Sequence, residues 1–230
     1  MDHVDLAERF VASAYPNAGI AIVAGSTARG ERTATSDVDL LLIGDSLFDD
    51  ASKSSEAATH EFEGEIFEVF AYTPQGFDEW ANRGIDRRRP VIVHMLAEGV
   101  PVRTHASFVE LRSRWSAILA AGPALDAADS RFRRYMITDL LDDLRDATDH
   151  LEQRVIAGTL FERIAELMLL NDRRWIATGK WLPRRLRALN AERAEMLSAP
   201  LLAGDYAAFA DRVEEELVRA GGRVQAGFVR

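Results

Sequence analysis

The chain has 230 residues, 47% of them hydrophobic, with no cysteine and a formal net charge of −9. That length supports one large domain or two small ones around a real core. The absence of cysteine excludes disulfides and thiolate metal sites, so any metal must bind oxygen or nitrogen, and an oxygen-lined site favours Mg²⁺ or Mn²⁺. The acidity argues against a partner read along a basic stripe, so nucleic acid is not expected, and it suits a cationic small substrate.

The N-terminal "MDHVDLAERF" is acidic and has no long apolar run, so a signal peptide is not expected. No apolar run approaches the roughly 18 residues that cross a bilayer, and the expectation is a soluble, cytoplasmic protein without membrane contact. Residues 3–14 space Val4, Leu6–Ala7, Phe10–Val11 and Ala14 as one helix face, which Pro16-Asn17 ends. "GIAIVAG" (19–25) reads as a short apolar strand, "STARGERTATS" as a polar loop or helix start, and "DVDLLLIG" (37–44) as a second strand. The polar stretch 45–60 follows, then a third strand over 61–73. A helix is expected near 74–82, another in "RRPVIVHMLAEG", and a last short strand in "VPVR" (100–103).

The rest of the chain differs. Segments 106–121, 130–150, 152–178, 184–198 and 204–220 carry helical apolar spacing, with Pro123, Pro183 and Pro200 between them and Gly221-Gly222 closing the last. Charge changes at the same place: up to residue 105 there are 9 Lys/Arg against 18 Asp/Glu, and from 106 onward 19 against 19. The expected organisation is an α/β (α+β) domain over 1–105 with a small mixed sheet, followed by a helical bundle over 106–230.

Chemistry concentrates in "GSTARGERTATSDVDL" (25–40). Residues two apart in a strand point the same way, so Asp37 and Asp39 project from one face roughly 6–7 Å apart. Two carboxylates at the mouth of an apolar strand repel each other, and a divalent cation between them removes that cost. Gly25-Ser26 ends the preceding strand, where a glycine lets backbone approach a phosphate and the amides opening the next helix can hold the anion. The stretch therefore offers a phosphate cradle and a metal platform. Taken singly, each half is also compatible with solvated aspartates and an ordinary turn.

Gly25-Ser26 followed by Ser36-Asp37-Val38-Asp39-Leu40 resembles the signature of the DNA polymerase β-type nucleotidyltransferase superfamily. "LLNDRRWIATGKWLPRRL" (169–186) and the "GG…GF" ending (221–228) resemble the C-terminal region of stand-alone bacterial nucleotidyltransferases, which are similar in plan to the aminoglycoside nucleotidyltransferases. The resemblance implies a small mixed sheet flanked by helices, two or three carboxylates holding two Mg²⁺ ions, and triphosphate near the Gly-Ser turn, with Ser36 on the nucleotide side. It also implies a third acid on a neighbouring strand. Glu61, Glu63 and Glu65 belong to the polar "EFEGE", whereas Glu68 lies inside Ile66-Phe67-Glu68-Val69-Phe70 and needs a partner there. Glu68 is therefore the expected third metal ligand, facing the same way as Phe62, Ile66 and Phe70.

Two cations are candidates for the phosphates: Arg29, just past the Gly-Ser turn, and Lys180, where a helix breaks. Arg185 and Arg187 read as a solvated helix face, and Trp175 and Trp181 as core or interface. "RDATDH" (145–150) matches an Arg-x4-His pattern of HEPN-type ribonucleases, which arises easily by chance in such a helix. Asp139, Asp142, Asp143 and Asp146 line one broad helix face, either solvated or open to a cationic acceptor. The expected activity is Mg²⁺-dependent (or Mn²⁺-dependent) transfer of a nucleoside monophosphate, AMP from ATP, to a hydroxyl of a small molecule such as an antibiotic, releasing pyrophosphate. The alternatives are nucleotidylation of a partner protein in an antitoxin-like manner, and a non-catalytic nucleotide-binding module. The intact Asp-x-Asp argues against the latter, because a degenerate site would shed costly charges.

Overall fold

In a computed structural model that describes residues 3–226, five strands and ten helices alternate and then give way to helices alone. Packing divides the chain into two compact units after Ala121.

The first unit opens with α1 (His3–Ala14), β1 (Ile20–Val23), the single turn α2 (Gly25–Ala28) and β2 (Val38–Ile43). β3 (Ser55–Phe62) and β4 (Glu65–Tyr72) form a hairpin, and α3 (Pro74–Asp86), α4 (Val91–Glu98), β5 (Val100–Arg103) and α5 (Phe108–Ala121) complete the unit. The sheet order is β3-β4-β2-β1-β5, with β2 and β4 parallel and the other neighbours antiparallel. Strands alternate their faces. Val38, Leu40, Leu42, Phe67, Val69 and Ala71 point one way and bury against Leu6, Ala7, Phe10 and Val11 of α1. Leu41, Ile43 and Tyr72 point the other way, against Phe77, Val93, Leu96 and Trp115 of α3–α5. Phe10 stacks on Phe67 with ring centroids 4.5 Å apart, and each fully buried side chain of this size contributes roughly 1.5–3 kcal/mol.

β3 lies in the stretch that reads as polar, and the reason is its place at the sheet edge. Only one of its faces is covered, by Phe10 against His60 and Phe62, so "SEAATHEF" carries no apolar run. The single strand expected over 61–73 is instead the end of β3, a turn and β4. Glu63 and Gly64 take φ of 50° and 81°, the left-handed pair of a tight hairpin turn. That turn puts Phe62 on the α1 face, opposite to its expected facing, while Ile66, Glu68 and Phe70 keep a common face. The division expected at 105/106 falls one helix later in the packing, because Phe108 and Trp115 bury α5 into the first core.

The second unit contains α6 (Ala127–Asp146), α7 (His150–Asn171), α8 (Trp181–Leu189), α9 (Ala191–Ala203) and α10 (Tyr206–Arg219) around one core that includes Leu141, Leu160, Ile164, Met168, Leu186, Leu197, Phe209 and Val213. α7 stops at Asn171, short of the expected 178, and Arg173 follows with φ 54°. The helix expected over 184–198 is two helices, because the side chain of Asn190 accepts from the Arg193 amide and starts α9 afresh. Pro200 lies inside α9 rather than between helices.

A polar clamp fastens residues 221–226 to α6. Arg223 donates to Glu214 at 2.6 Å and to Asp142 at 2.6 Å, Gln225 donates to Asp142, and the Val224 amide donates to Thr138 Oγ1 at 3.3 Å. Asp142 is thus engaged inside the unit, which removes it from the acidic face considered for a cationic acceptor. Arg145 is likewise committed to Glu214 and Asp211, which accounts for the arginine of the Arg-x4-His pattern. The remaining residues of the "GG…GF" ending, Gly227 and Phe228, lie outside the described residues.

Hydrogen bonds from Arg223 and then Arg145 hold the Glu214 carboxyl below the usual glutamate range. A depressed folded-state pKa stabilises above the unfolded pKa, and the contribution is lost as pH falls through the folded one. Glu214→Gln should therefore lower the melting temperature at pH 7 by about 2–4 °C. The deficit should shrink steadily as pH drops below the ordinary glutamate value; thermal melts of both proteins from pH 7 to pH 3 measure it.

Candidate active site

Parallel pairing of β2 with β4 sets Asp39 directly opposite Glu68. Both point to the α3–α5 face of the sheet, since Leu41 and Phe70 do so two residues further along each strand. Asp37 precedes β2 by one residue and shares that facing. The three half-buried carboxylates offer oxygens that all lie within 4.8 Å of one another. The Glu68 carboxyl is raised above the usual glutamate range, first by burial and then by the charge of Asp37. Like charges gathered this closely, with oxygen donors only, form a donor set suited to a hard divalent cation, which would neutralise their repulsion.

The Gly-Ser turn meets the same cluster. Gly25 has φ +62°, and a Cβ there would lie 1.7 Å from Asp39 Oδ2. Only glycine allows the backbone that close to the carboxylate. The Ala24 amide donates to the Asp39 carbonyl at 2.8 Å, which ties the turn to β2. Ser26 is half-buried beside it. α2 is one turn long, so any support for an anion here comes from local amides rather than from a helix macrodipole.

The other expected nucleotide-binding residues stand apart from the triad's own contacts. Arg29 is exposed and pairs with Glu31 at 3.1 Å. The Ser36 hydroxyl accepts from the Thr33 amide at 2.9 Å and shapes the loop before Asp37. Lys180 belongs to the second unit, where it is exposed at the start of α8. Nearby, Arg185 donates to the Trp175 carbonyl at 3.0 Å rather than lying in solvent, and the Arg184 guanidinium covers the Trp181 ring. Trp175 is buried. Of the glutamates near Glu68, Glu63 pairs with Arg9 and Glu65 with Arg32. Arg32 has no place in the sequence reading. Its Glu65 partner lies 33 residues away in the chain, and no local spacing announces such a pair.

Residues 4–76 match the model of the nucleotidyltransferase domain family. The fold is similar to that of a nucleotidyltransferase-like protein from Exiguobacterium sibiricum, with a TM-score of 0.51 and 14% sequence identity over 95% of this chain and 74% of that one. No curated protein matches the chain. Residues 4–76 form a nucleotidyltransferase domain, which supports an enzyme of nucleotidyltransferase type. Its Asp-Asp-Glu cluster fits metal-dependent nucleotidyl transfer, with a nucleoside triphosphate as substrate.

Gly25→Ala should push Asp39 out of the cluster. We expect Mn²⁺ affinity, read by calorimetry, to fall about 10–100-fold, the range seen when the support of a metal ligand is disturbed. Asp39→Asn should lower it at least as far, while its metal-free melting temperature stays level or rises, because like-charge repulsion is relieved.

Proposed function

We propose that the protein transfers AMP from ATP to a hydroxyl of a small molecule, releasing pyrophosphate, with Asp37, Asp39 and Glu68 holding Mg²⁺ or Mn²⁺. The observation that carries this reading is the convergence of the three carboxylates with the Gly25-Ser26 turn at one end of the sheet. When bound, the divalent cations supply charge neutralisation of the triphosphate and a lowered pKa for the acceptor hydroxyl.

The chain's own residues do the rest by position. Asp39 and Glu68 are fixed by the β2–β4 register, and Asp37 by the loop that enters β2. Gly25 and Ser26 present backbone beside Asp39, where a phosphate can approach. Arg29 is the cation we assign to the triphosphate; it would exchange Glu31 for a phosphate oxygen, and Ser36 supports the loop on the nucleotide side. Little covalent work is asked of the protein: it aligns donor and acceptor and supplies preorganised charge. The acceptor is a hydroxylated, cationic small molecule, consistent with the acidity of the first 105 residues, and aminoglycoside antibiotics belong to that chemical class. We place the reaction in the cytoplasm, where ATP is available.

The test is a panel of the four ribonucleoside triphosphates against hydroxylated cationic compounds, read by pyrophosphate release. ATP with an aminoglycoside should give the largest signal. A signal only with a protein acceptor would move the activity to protein nucleotidylation. With any productive pair, Glu68→Gln should reduce kcat on the order of a hundredfold or more, corresponding to several kcal/mol of lost charge stabilisation, with KM little changed. Glu63→Gln should be close to wild type. A Glu68→Gln enzyme with undiminished kcat would remove Glu68 from the site.

A further inference from the structure

We propose that Arg32 is the positioning residue of the metal site: it holds the loop end that carries Asp37, and its pairing with Glu65 keeps its own positive charge from opposing the cation. The proposal rests on the reading that Asp37, Asp39 and Glu68 bind metal.

The three carboxylates are not held alike. Asp39 and Glu68 lie inside the β2–β4 ladder, in register with each other. Asp37 lies just before β2, at the end of a loop whose local bonds run within the loop and to α2: Glu31 amide to Ser26 carbonyl, Gly30 amide to Thr27 carbonyl, Ser36 amide to Thr33 carbonyl. Its place in the triad therefore needs a tie from outside the ladder.

Arg32 supplies one. Its Nη1 donates to Thr27 Oγ1 at 2.9 Å and to the Asp37 carbonyl at 3.2 Å. Its Nη2 donates to the Ser36 carbonyl at 2.9 Å and to Glu65 Oε2 at 2.6 Å. One planar group thus joins α2, the two peptides that flank Asp37, and the first residue of β4. The side chain is only 19% exposed. A lysine is a point charge on a flexible stem and cannot serve four acceptors in one plane.

The geometry also separates Arg32 from the reacting groups. Glu65 shares its facing with Phe67 and Val69, which pack against α1, whereas Glu68 faces the opposite side of β4. Arg32 therefore meets the site through main chain, from behind the sheet, and its role is positioning rather than chemistry. An unpaired guanidinium this near would repel a divalent cation. The Glu65 carboxylate cancels that charge, with His3 a further 3.7 Å neighbour of Glu65. This gives Glu65 a function that its place in the polar "EFEGE" stretch conceals.

The experiment uses the full chain with Arg32→Gln, Arg32→Lys and Glu65→Gln, with Asp37→Asn as reference and Glu63→Gln as control. Mn²⁺ binding is measured by calorimetry without nucleotide, folding by far-UV circular dichroism and thermal melts, and turnover as a function of Mg²⁺ concentration. Arg32→Gln should weaken Mn²⁺ binding about tenfold or more and lower kcat, with excess Mg²⁺ restoring part of the loss. Arg32→Lys should fall between that variant and wild type. Glu65→Gln should also weaken Mn²⁺ binding, and Glu63→Gln should not. A folded Arg32→Gln protein with wild-type Mn²⁺ affinity, whatever its melting temperature, would reduce Arg32 to a loop clamp and overturn the proposal. Should Arg32→Gln fail to fold, wild-type Mn²⁺ affinity in both Arg32→Lys and Glu65→Gln overturns it instead. Wild-type affinity in Asp37→Asn is a different failure, that of the metal reading itself.

Discussion

Three carboxylates with oxygens within 4.8 Å of one another repel, and the architecture of the first unit consists of the means of keeping them there. The parallel ladder between β2 and β4 is the chief of these. It places Asp39 across from Glu68 and directs both to one face, and a shift of one residue in that register would send one of the pair to the opposite face. Burial of Leu40, Leu41, Leu42, Phe67 and Val69 on the two sides of the same strands holds the register. The hydrophobic core and the polar site are consequences of one alternation: the apolar residues of these strands are sealed by helices, and Asp39 and Glu68 share the α3–α5 face with Leu41 and Phe70.

Backbone supplies the second means. The left-handed turn at Gly25 brings main chain against the Asp39 carboxylate, and the Ala24 amide bonds the Asp39 carbonyl. A side chain at position 25 and the aspartate in its present rotamer are mutually exclusive. The glycine therefore makes room for the Asp39 carboxylate, and the two halves of the Gly-Ser…Asp-x-Asp stretch are a single structure. The Arg32 fork extends the same logic one step outward, from the carboxylates to the peptides that carry them.

The second unit meets its electrostatic needs differently. Several of its acidic side chains are matched internally: Glu216, 6% exposed, receives Arg193 and Arg219, and Glu214 and Asp142 share Arg223. A buried carboxylate without such partners would be strongly destabilising. The acids and bases from residue 106 onward are equal in number and include these paired groups, whereas the acidic excess before them includes a cluster suited to a cation.

Local order was legible in the sequence. β1, β2 and most helices announce themselves by apolar period, because each buries a full face, and Asp37, Asp39 and Glu68 stand out because charge at an apolar strand is costly. β3 was illegible for the converse reason: an edge strand with one covered face needs few apolar residues. The break at Asn190 is hidden because capping turns on one side chain's rotamer, and the core that α5 joins is hidden because helical spacing says nothing of which core a helix joins. What the sequence by itself determined was the inventory, an apolar sheet with acids at one end followed by helices. Only the tertiary structure decided the neighbours: that β4 lies parallel to β2, that Asp39 faces Glu68, that Gly25 touches Asp39 and that Arg32 reaches Glu65. Those are contacts between segments distant in the chain, and they follow from strand order and register, which no local spacing encodes.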